Sequence, residues 1–355
     1  MVAIHLEDTH TGDRSALARR TTWALVALLA VAAWTSLAVG ASGISLPATL
    51  SDLLAGRDIE ARSRIILWDI RLPRLLTGMM VGASLAVAGA VLQGLFRNPL
   101  ADPGLVGVSA GAGLGAITAI VLGGLFPAVV IQTAGPVLVP LMAFAGSWLA
   151  VMTLYLIATR GGRTSVATML LGGIALAALT GAVSGLLIYI ADDQQLRALT
   201  FWGLGSLAGA SWSKTLWAAP LMLAALVAAP ALSRGLNALA LGEAAAHHLG
   251  IPVQRLKNLS ILVVAGAVGA ATAISGGIGF VGIVVPHLLR LATGPDHRAL
   301  LINSGLLGAS LLLLADVVSR SIVAPSELPI GIVTAVIGGP FFLWILLRRS
   351  GSLEI

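Results

Sequence analysis

Polar positions are rare and bunched along this chain, and long apolar runs fill the intervals between them. About 20 apolar residues in helical form cross the hydrocarbon core of a bilayer, so the runs are read by length. Ten of them follow in order: Trp23–Ala41, then about 75–96, 105–122, 136–159, 166–190, 214–232, 259–274, 280–291, 300–317 and 330–347. The eighth is short and carries Pro286. The polar bunches predict the connections. Residues 42–70 read as a polar link with Arg57, Asp58, Glu60, Arg62 and Arg64. Arg97-Asn-Pro-Leu-Ala-Asp-Pro-Gly104 is a turn through which no helix continues. Residues 192–211 are expected to hold a short interfacial helix, Ser275-Gly-Gly-Ile-Gly279 breaks the seventh run, and Gly294-Pro-Asp-His-Arg298 turns the chain again.

A chain that is 57% hydrophobic and only 10% charged lies outside the range of soluble domains. The expected fold class is an all-α, polytopic membrane protein, one transmembrane domain over residues 1–355 with about ten spans. Arg14, Arg19 and Arg20 precede the first run and place the tail, residues 1–22, in the cytoplasm. That start is similar to a signal peptide, with Ala38-Val-Gly-Ala41 in the place of a cleavage site. The run is of membrane length and many spans follow, so it reads as a retained span. Of the 21 Lys and Arg, eight fall on segments assigned outside: Arg57, Arg62, Arg64, Arg71, Arg74, Arg197, Lys214 and Arg320. The other thirteen lie inside, and Arg348-Arg349 keeps the C-terminus cytoplasmic. Arg71, Arg74 and Arg320 sit at span mouths against this rule and require a reason.

Composition also excludes chemistries. There is no cysteine, hence no disulfide, thiolate metal site or Cys nucleophile. Lys214 and Lys257 are the only lysines, and neither follows a Gly-rich loop, so the chain has no phosphate-binding signature of its own. The basic residues are scattered at span ends and form no nucleic-acid stripe. No acidic residue lies deep in a run, which disfavours an ion-coupled secondary transporter. No His or Asp pair is placed to activate a Ser, which disfavours an intramembrane hydrolase.

The longest polar interruption of the second half is Glu243-Ala-Ala-Ala-His-His-Leu-Gly-Ile-Pro-Val-Gln-Arg-Leu-Lys257. Glu243–Leu249 are good helix formers, Gly250 is a C-terminal stop, and Pro252 suits the first turn of a second short helix. This predicts a compact helix–Gly–helix element within a cytoplasmic loop, residues 234–257. It is either a solvated loop or a docking surface for a cytoplasmic partner. Adjacent His247 and His248 point to different helix faces and do not make a metal pair. His287, mid-span beside Pro286, reads as a packing histidine rather than a haem ligand. Gly78-Met-Met-Val-Gly82 and Gly107, Gly111 and Gly115 form small faces for close helix contact. Gly82-Ala83 with its small followers and Gly266-Ala267 with theirs suggest a weak inverted repeat, spans two to five against seven to ten.

Four stretches carry a resemblance: Arg71-Leu-Pro-Arg74, Gly94-Leu-Phe-Arg-Asn-Pro-Leu-Ala-Asp-Pro-Gly-Leu-Val-Gly107, Gly282-Ile-Val-Val-Pro-His-Leu-Leu-Arg290 and Glu327-Leu-Pro-Ile-Gly-Ile-Val-Thr-Ala335. Together they resemble the membrane permeases of type II ABC importers, the FecCD group, which move iron–siderophore complexes, haem and cobalamin. The resemblance spans about residues 45–349. It implies a homodimer in the bacterial inner membrane, two cytoplasmic ATPases that carry ATP and Mg, a periplasmic binding protein, and no cofactor on this chain.

The resemblance also implies site residues. Leu241, Gly242, Glu243, Ala244, Ala245, His248, Leu249, Gly250, Ile251 and Pro252 fall where the family seats its ATPase-coupling helices. Arg71, Arg74 and Arg320 match arginines that meet a glutamate on each lobe of the binding protein; lipid headgroups are the alternative partner. Span five, with Gly181, Ser184 and Gly185, is expected on the pathway, Ser184 more pore-directed than the glycines; Met79 and Met80 add a soft lining. A pathway without charges suits a bulky chelate better than a bare metal ion. Leu95–Ser109 and Phe201-Trp-Gly-Leu-Gly-Ser-Leu-Ala208 look most like haem permeases, which makes haem the expected cargo, with ferric siderophore and cobalamin as alternatives.

Overall fold

The computed structural model describes residues 14–40, 45–58 and 60–350. The cleavage-like Ala41 and most of the cytoplasmic tail therefore lie outside the described residues. Helices α1 (Ser15–Ala38), α2 (Leu46–Leu54) and α3 (Ala61–Ile65) come first. A π-helical turn, Ile66–Arg71, joins α3 to α4 (Leu72–Leu95) without a break. Then come α5 (Val108–Leu122), α6 (Ala128–Ala158), a hairpin of β1 (Thr159–Arg160) and β2 (Arg163–Thr164), α7 (Val166–Ile190) and α8 (Asp193–Leu204). The second half holds α9 (Trp212–Ala228), α10 (Ser233–Ala240), α11 (Glu243–His248), α12 (Val253–Ser275), α13 (Val281–Thr293), α14 (His297–Ile322) and α15 (Ile330–Ser350).

Eight helical stretches among the described residues are long and apolar enough to cross a membrane, and α13 and the apolar part of α15 are shorter. All ten expected spans are present as helices, but several bounds move. The link at residues 42–70 is largely helical, and span two reaches back to Ala61. Span four begins at Ala128. The first span starts at Ser15, so Arg19 and Arg20 belong to its first turns.

The molecule is organised around α4 and α12, the two most buried spans, which pack against each other. α4 also packs on α13 and α14, and α12 on α5 and α6. That exchange of partners is what an inverted repeat of spans two to five and seven to ten produces. Small residues permit the approach. A Cβ on Gly82 of α4 would stand 2.3 Å from the Gly308 carbonyl oxygen of α14. One on Gly115 of α5 would stand 1.9 Å from the Met142 oxygen of α6. Gly266, the repeat partner of Gly82, has open space at the same position, so the two halves differ in detail.

α13 has 13 residues, and its rise of roughly 20 Å is short of a hydrocarbon core of about 30 Å. The break before it is therefore irregular backbone at membrane depth, which is tolerated only where protein satisfies it. Here the Gly277 amide donates to the Trp202 carbonyl (3.3 Å), and the Ser206 amide to that of Ser275 (2.8 Å). Phe280 takes a left-handed φ of 68° to restart the helix. Ile330 at the start of α15 donates its amide to Gly205 (3.0 Å), so the ends of α8, α12 and α15 meet in one backbone knot.

Candidate functional site

The polar element at residues 234–257 forms from α10, α11 and the start of α12. Gly242, at φ 108°, reverses the chain out of α10. α11 then ends in a closed pair of backbone bonds, the Gly250 amide to the His247 carbonyl and the Ile251 amide to that of Ala246, both 3.0 Å. This is the Schellman arrangement, and Gly250 supplies its left-handed residue at φ 77°. The expected second short helix does not exist as a separate piece. Pro252 stands at the N-cap of α12, and the helix it opens is the seventh span itself. The reason is that no stop follows Pro252: Val253–Asn258 run into the apolar stretch without a glycine or proline.

The tip presents Leu241 (72% exposed) and Leu249 (58% exposed) beside exposed Glu243, Ala244, His247, His248 and Gly250. Ala246 is buried beneath it; Gly242, Ala245 and Ile251 are half-buried. The knob is braced from below. Buried Lys257 donates to Glu243 Oε1 (2.7 Å) and to the Thr164 carbonyl (2.8 Å). Gln254 accepts from the Thr164 amide (2.9 Å) and donates to its hydroxyl (2.6 Å). The β1–β2 hairpin at the foot of α7 is thereby tied to the knob. Sequence reading missed this tie. Its only signal was a lysine and a glutamine placed on what becomes the inner end of a span.

The three outer arginines are all buried, each less than 10% exposed. Arg74 holds Asp316 through Nε and Nη2 (3.1 and 2.9 Å) and Glu327 through Nη1 and Nη2 (2.7 and 2.9 Å). Arg320, one turn beyond Asp316 on α14, lies 3.6 Å from it and donates to the Ser36 carbonyl (2.8 Å). Arg71 donates to the carbonyls of Leu37 and Ala38 at the end of α1. Within the chain, the three arginines expected to meet a partner form a cluster joining α1, α4, α14 and the segment before α15. Asp316 and Glu327 reach them because α4 and α14 pack side by side, which sequence order does not reveal. Of these groups, the Glu327 carboxylate keeps the largest exposed share, 35%.

The pathway residues are not brought together. Met79 and Met80 face a groove between α1, α4, α9 and α14. α7 packs instead on α5 and α6. Gly181 and Gly185 are exposed, and a Cβ at either meets nothing within 4 Å. Ser184 is half-buried, so within the chain it is the more enclosed of the three. His287 is buried, its ring 6.2 Å from that of Phe341 on α15, and no cluster of metal ligands occurs among the described residues. In the Arg97–Gly104 turn, burial pushes the Asp102 carboxyl up, although it accepts from the Gly104 amide (2.8 Å) to cap the turn Pro103–Val106.

A bundle of apolar helices of membrane length is an architecture shared with known proteins. The model of the FecCD transport family matches residues 28–348. The chain belongs to that family. A hemin transport system permease protein, HmuU of Yersinia pestis, is 48% identical over 79% of this chain and 83% of its own length. A cobalamin import system permease protein, BtuC of Halobacterium salinarum, is 44% identical over 82% of this chain and 76% of its own. A solved structure described as an inward-facing metal-chelate type ABC transporter superposes with a TM-score of 0.81 at 34% identity, covering 93% of this chain and 99% of that one. The FecCD chain is therefore a multi-pass membrane protein and the permease subunit of an ABC importer. The relatives are permease proteins, not enzymes.

Proposed function

We propose that this permease moves haem, a bulky iron chelate, from a periplasmic binding protein into the cytoplasm. It works in the bacterial inner membrane as one of two identical copies, with two separate ATPase subunits that hold ATP and Mg; this chain holds no cofactor. The observation that carries the mechanism is the knob at residues 241–252. A helix closed by a Schellman turn and braced by Lys257 moves as a rigid body, and its exposed Leu241 and Leu249 offer an apolar contact to an ATPase cleft. Its tie to Thr164 passes that motion to α7. The haem reading is supported by the 48% identity to a hemin permease. Cobalamin is the second reading, supported by relatives at 42–44%. At the outer face, docking acts on the Arg74–Glu327 pair, where a carboxylate of the binding protein takes the place of Glu327.

The test is uptake into vesicles reconstituted with this permease, its ATPase and its binding protein. ATP-dependent accumulation of haem, competed weakly by cobalamin or a ferric siderophore, is expected. Accumulation of cobalamin or siderophore in preference to haem overturns the cargo, and uptake driven by an ion gradient without ATP overturns the class.

A further inference from the structure

At the cytoplasmic end of α1, a cavity of about 970 Å³ opens between α1, α10 and the turn from α13 to α14. Arg14 and Arg19 enter it from one side and Arg298 from the other, with Thr22 and Trp23 at its membrane edge. All three arginines are exposed, and among the described residues none is held in an ion pair. Asp296 also lines the cavity, but its Oδ1 is committed to the Asn237 side chain (2.6 Å) and the Arg298 amide (3.0 Å). Burial opposes its ionisation; those two bonds and the Arg298 charge outweigh that and hold its carboxyl below the usual range. Three guanidinium groups thus face one carboxylate, and the cavity is net positive.

Elsewhere on the bundle lies a separate groove of about 280 Å³ lined by Leu28 of α1, Val284 of α13, Leu307 and Leu311 of α14, and Val333 and Ile337 of α15. Its walls are almost wholly apolar. From Ala299 in the basic cavity to Leu307 in the groove, α14 rises roughly 12 Å. Trp23 of the basic cavity is 70% exposed, as a side chain at the membrane–water boundary is. A basic cavity with an exposed tryptophan at its membrane edge suits the phosphate of a lipid whose acyl chains stay in the bilayer.

We propose that the cavity binds one anionic phospholipid of the cytoplasmic leaflet, with its phosphate among Arg14, Arg19 and Arg298 and its acyl chains in the bilayer beside Trp23. Guanidinium forks match phosphate oxygens in geometry as well as charge, and basic pockets between membrane helices on the cytoplasmic side suit such headgroups. Asn237 and Ala240 of the cavity belong to α10, the helix that leads into the knob, so the lipid steadies the base of the coupling element.

The chain has no cysteine, so Ala240→Cys supplies a single thiol in the cavity. The protein is placed in phosphatidylcholine nanodiscs with or without phosphatidylglycerol, and labelling by a water-soluble maleimide is timed. Phosphatidylglycerol is expected to slow labelling, and inorganic phosphate is not. Native mass spectrometry should show phosphatidylglycerol retained over phosphatidylcholine. Arg19→Gln with Arg298→Gln should weaken that retention roughly 25-fold, about five-fold per arginine. Arg19→Lys with Arg298→Lys should keep most of it, which separates loss of charge from loss of folding. Equal labelling in both lipids, or retention indifferent to the Gln pair, overturns the proposal. Protection by inorganic phosphate alone makes this a free-anion site and overturns the lipid assignment.

Discussion

Arg74 shows how much a single side chain decides here. Its guanidinium serves two carboxylates at once, and it is 8% exposed while Asp316 is 1% exposed. Removing one partner of such a buried pair leaves an uncompensated charge, at a cost of about 3–5 kcal/mol. Asp316→Ala should therefore depress the thermal midpoint of the purified permease strongly. Glu327 is partly solvated, and its loss should cost no more than about 1 kcal/mol. Glu327→Gln is accordingly expected to leave the midpoint nearly unchanged. Equal shifts for the two variants in a thermal melt would show that Arg74 does not distinguish its partners in this way. The asymmetry also gives the cluster a use: Asp316 holds Arg74 in place, and Glu327 is the member that a partner's carboxylate can replace.

At the scale of the element, the knob depends on one backbone conformation and one brace. A Cβ at Gly250 meets no atom within 4 Å, so the chief penalty of Gly250→Val is the left-handed φ of 77°, roughly 1 kcal/mol or more. Lys257→Met removes the bonds to Glu243 and the Thr164 carbonyl and loosens the hairpin, which Gln254 alone then ties to the start of α12. Both variants should insert normally and bind the ATPase subunit. In reconstituted vesicles the Lys257 variant should retain ATP hydrolysis while uptake falls several-fold, because less of the stroke reaches α7. Uptake per ATP equal to that of the native permease would remove Lys257 from the coupling route.

Across the whole molecule, α7 stands out by its bareness. Leu171, Leu179 and Leu186 are each more than 60% exposed, and Gly181 and Gly185 face open space. No helix–helix contact within the chain is at stake at these glycines. Gly181→Leu and Gly185→Leu should therefore fold and assemble, and block a wide, rigid cargo. Thiol scanning of residues 177–188 should label one helical face, with cargo or nucleotide protecting it. Failure of both leucine variants to fold, with no position labelled in any nucleotide state, would move the pathway away from α7.

The sequence by itself determined the class, the ten helices and the place of the knob. Each follows from local facts: run length against bilayer thickness and a glycine at a helix stop. The halves' inverted likeness was also legible, since small residues recur in order in Gly82-Ala83 and Gly266-Ala267. Only the tertiary structure decided what the polar residues do. Asp316 and Arg74 are 242 positions apart and meet because small residues let α4 and α14 touch. Lys257 finds Thr164 across 93 positions, and Arg298 comes to lie across a cavity from Arg14. Apolar periodicity specifies that a helix is buried, not which helix covers it, so the partners of the few polar side chains stay unspecified until the helices are packed.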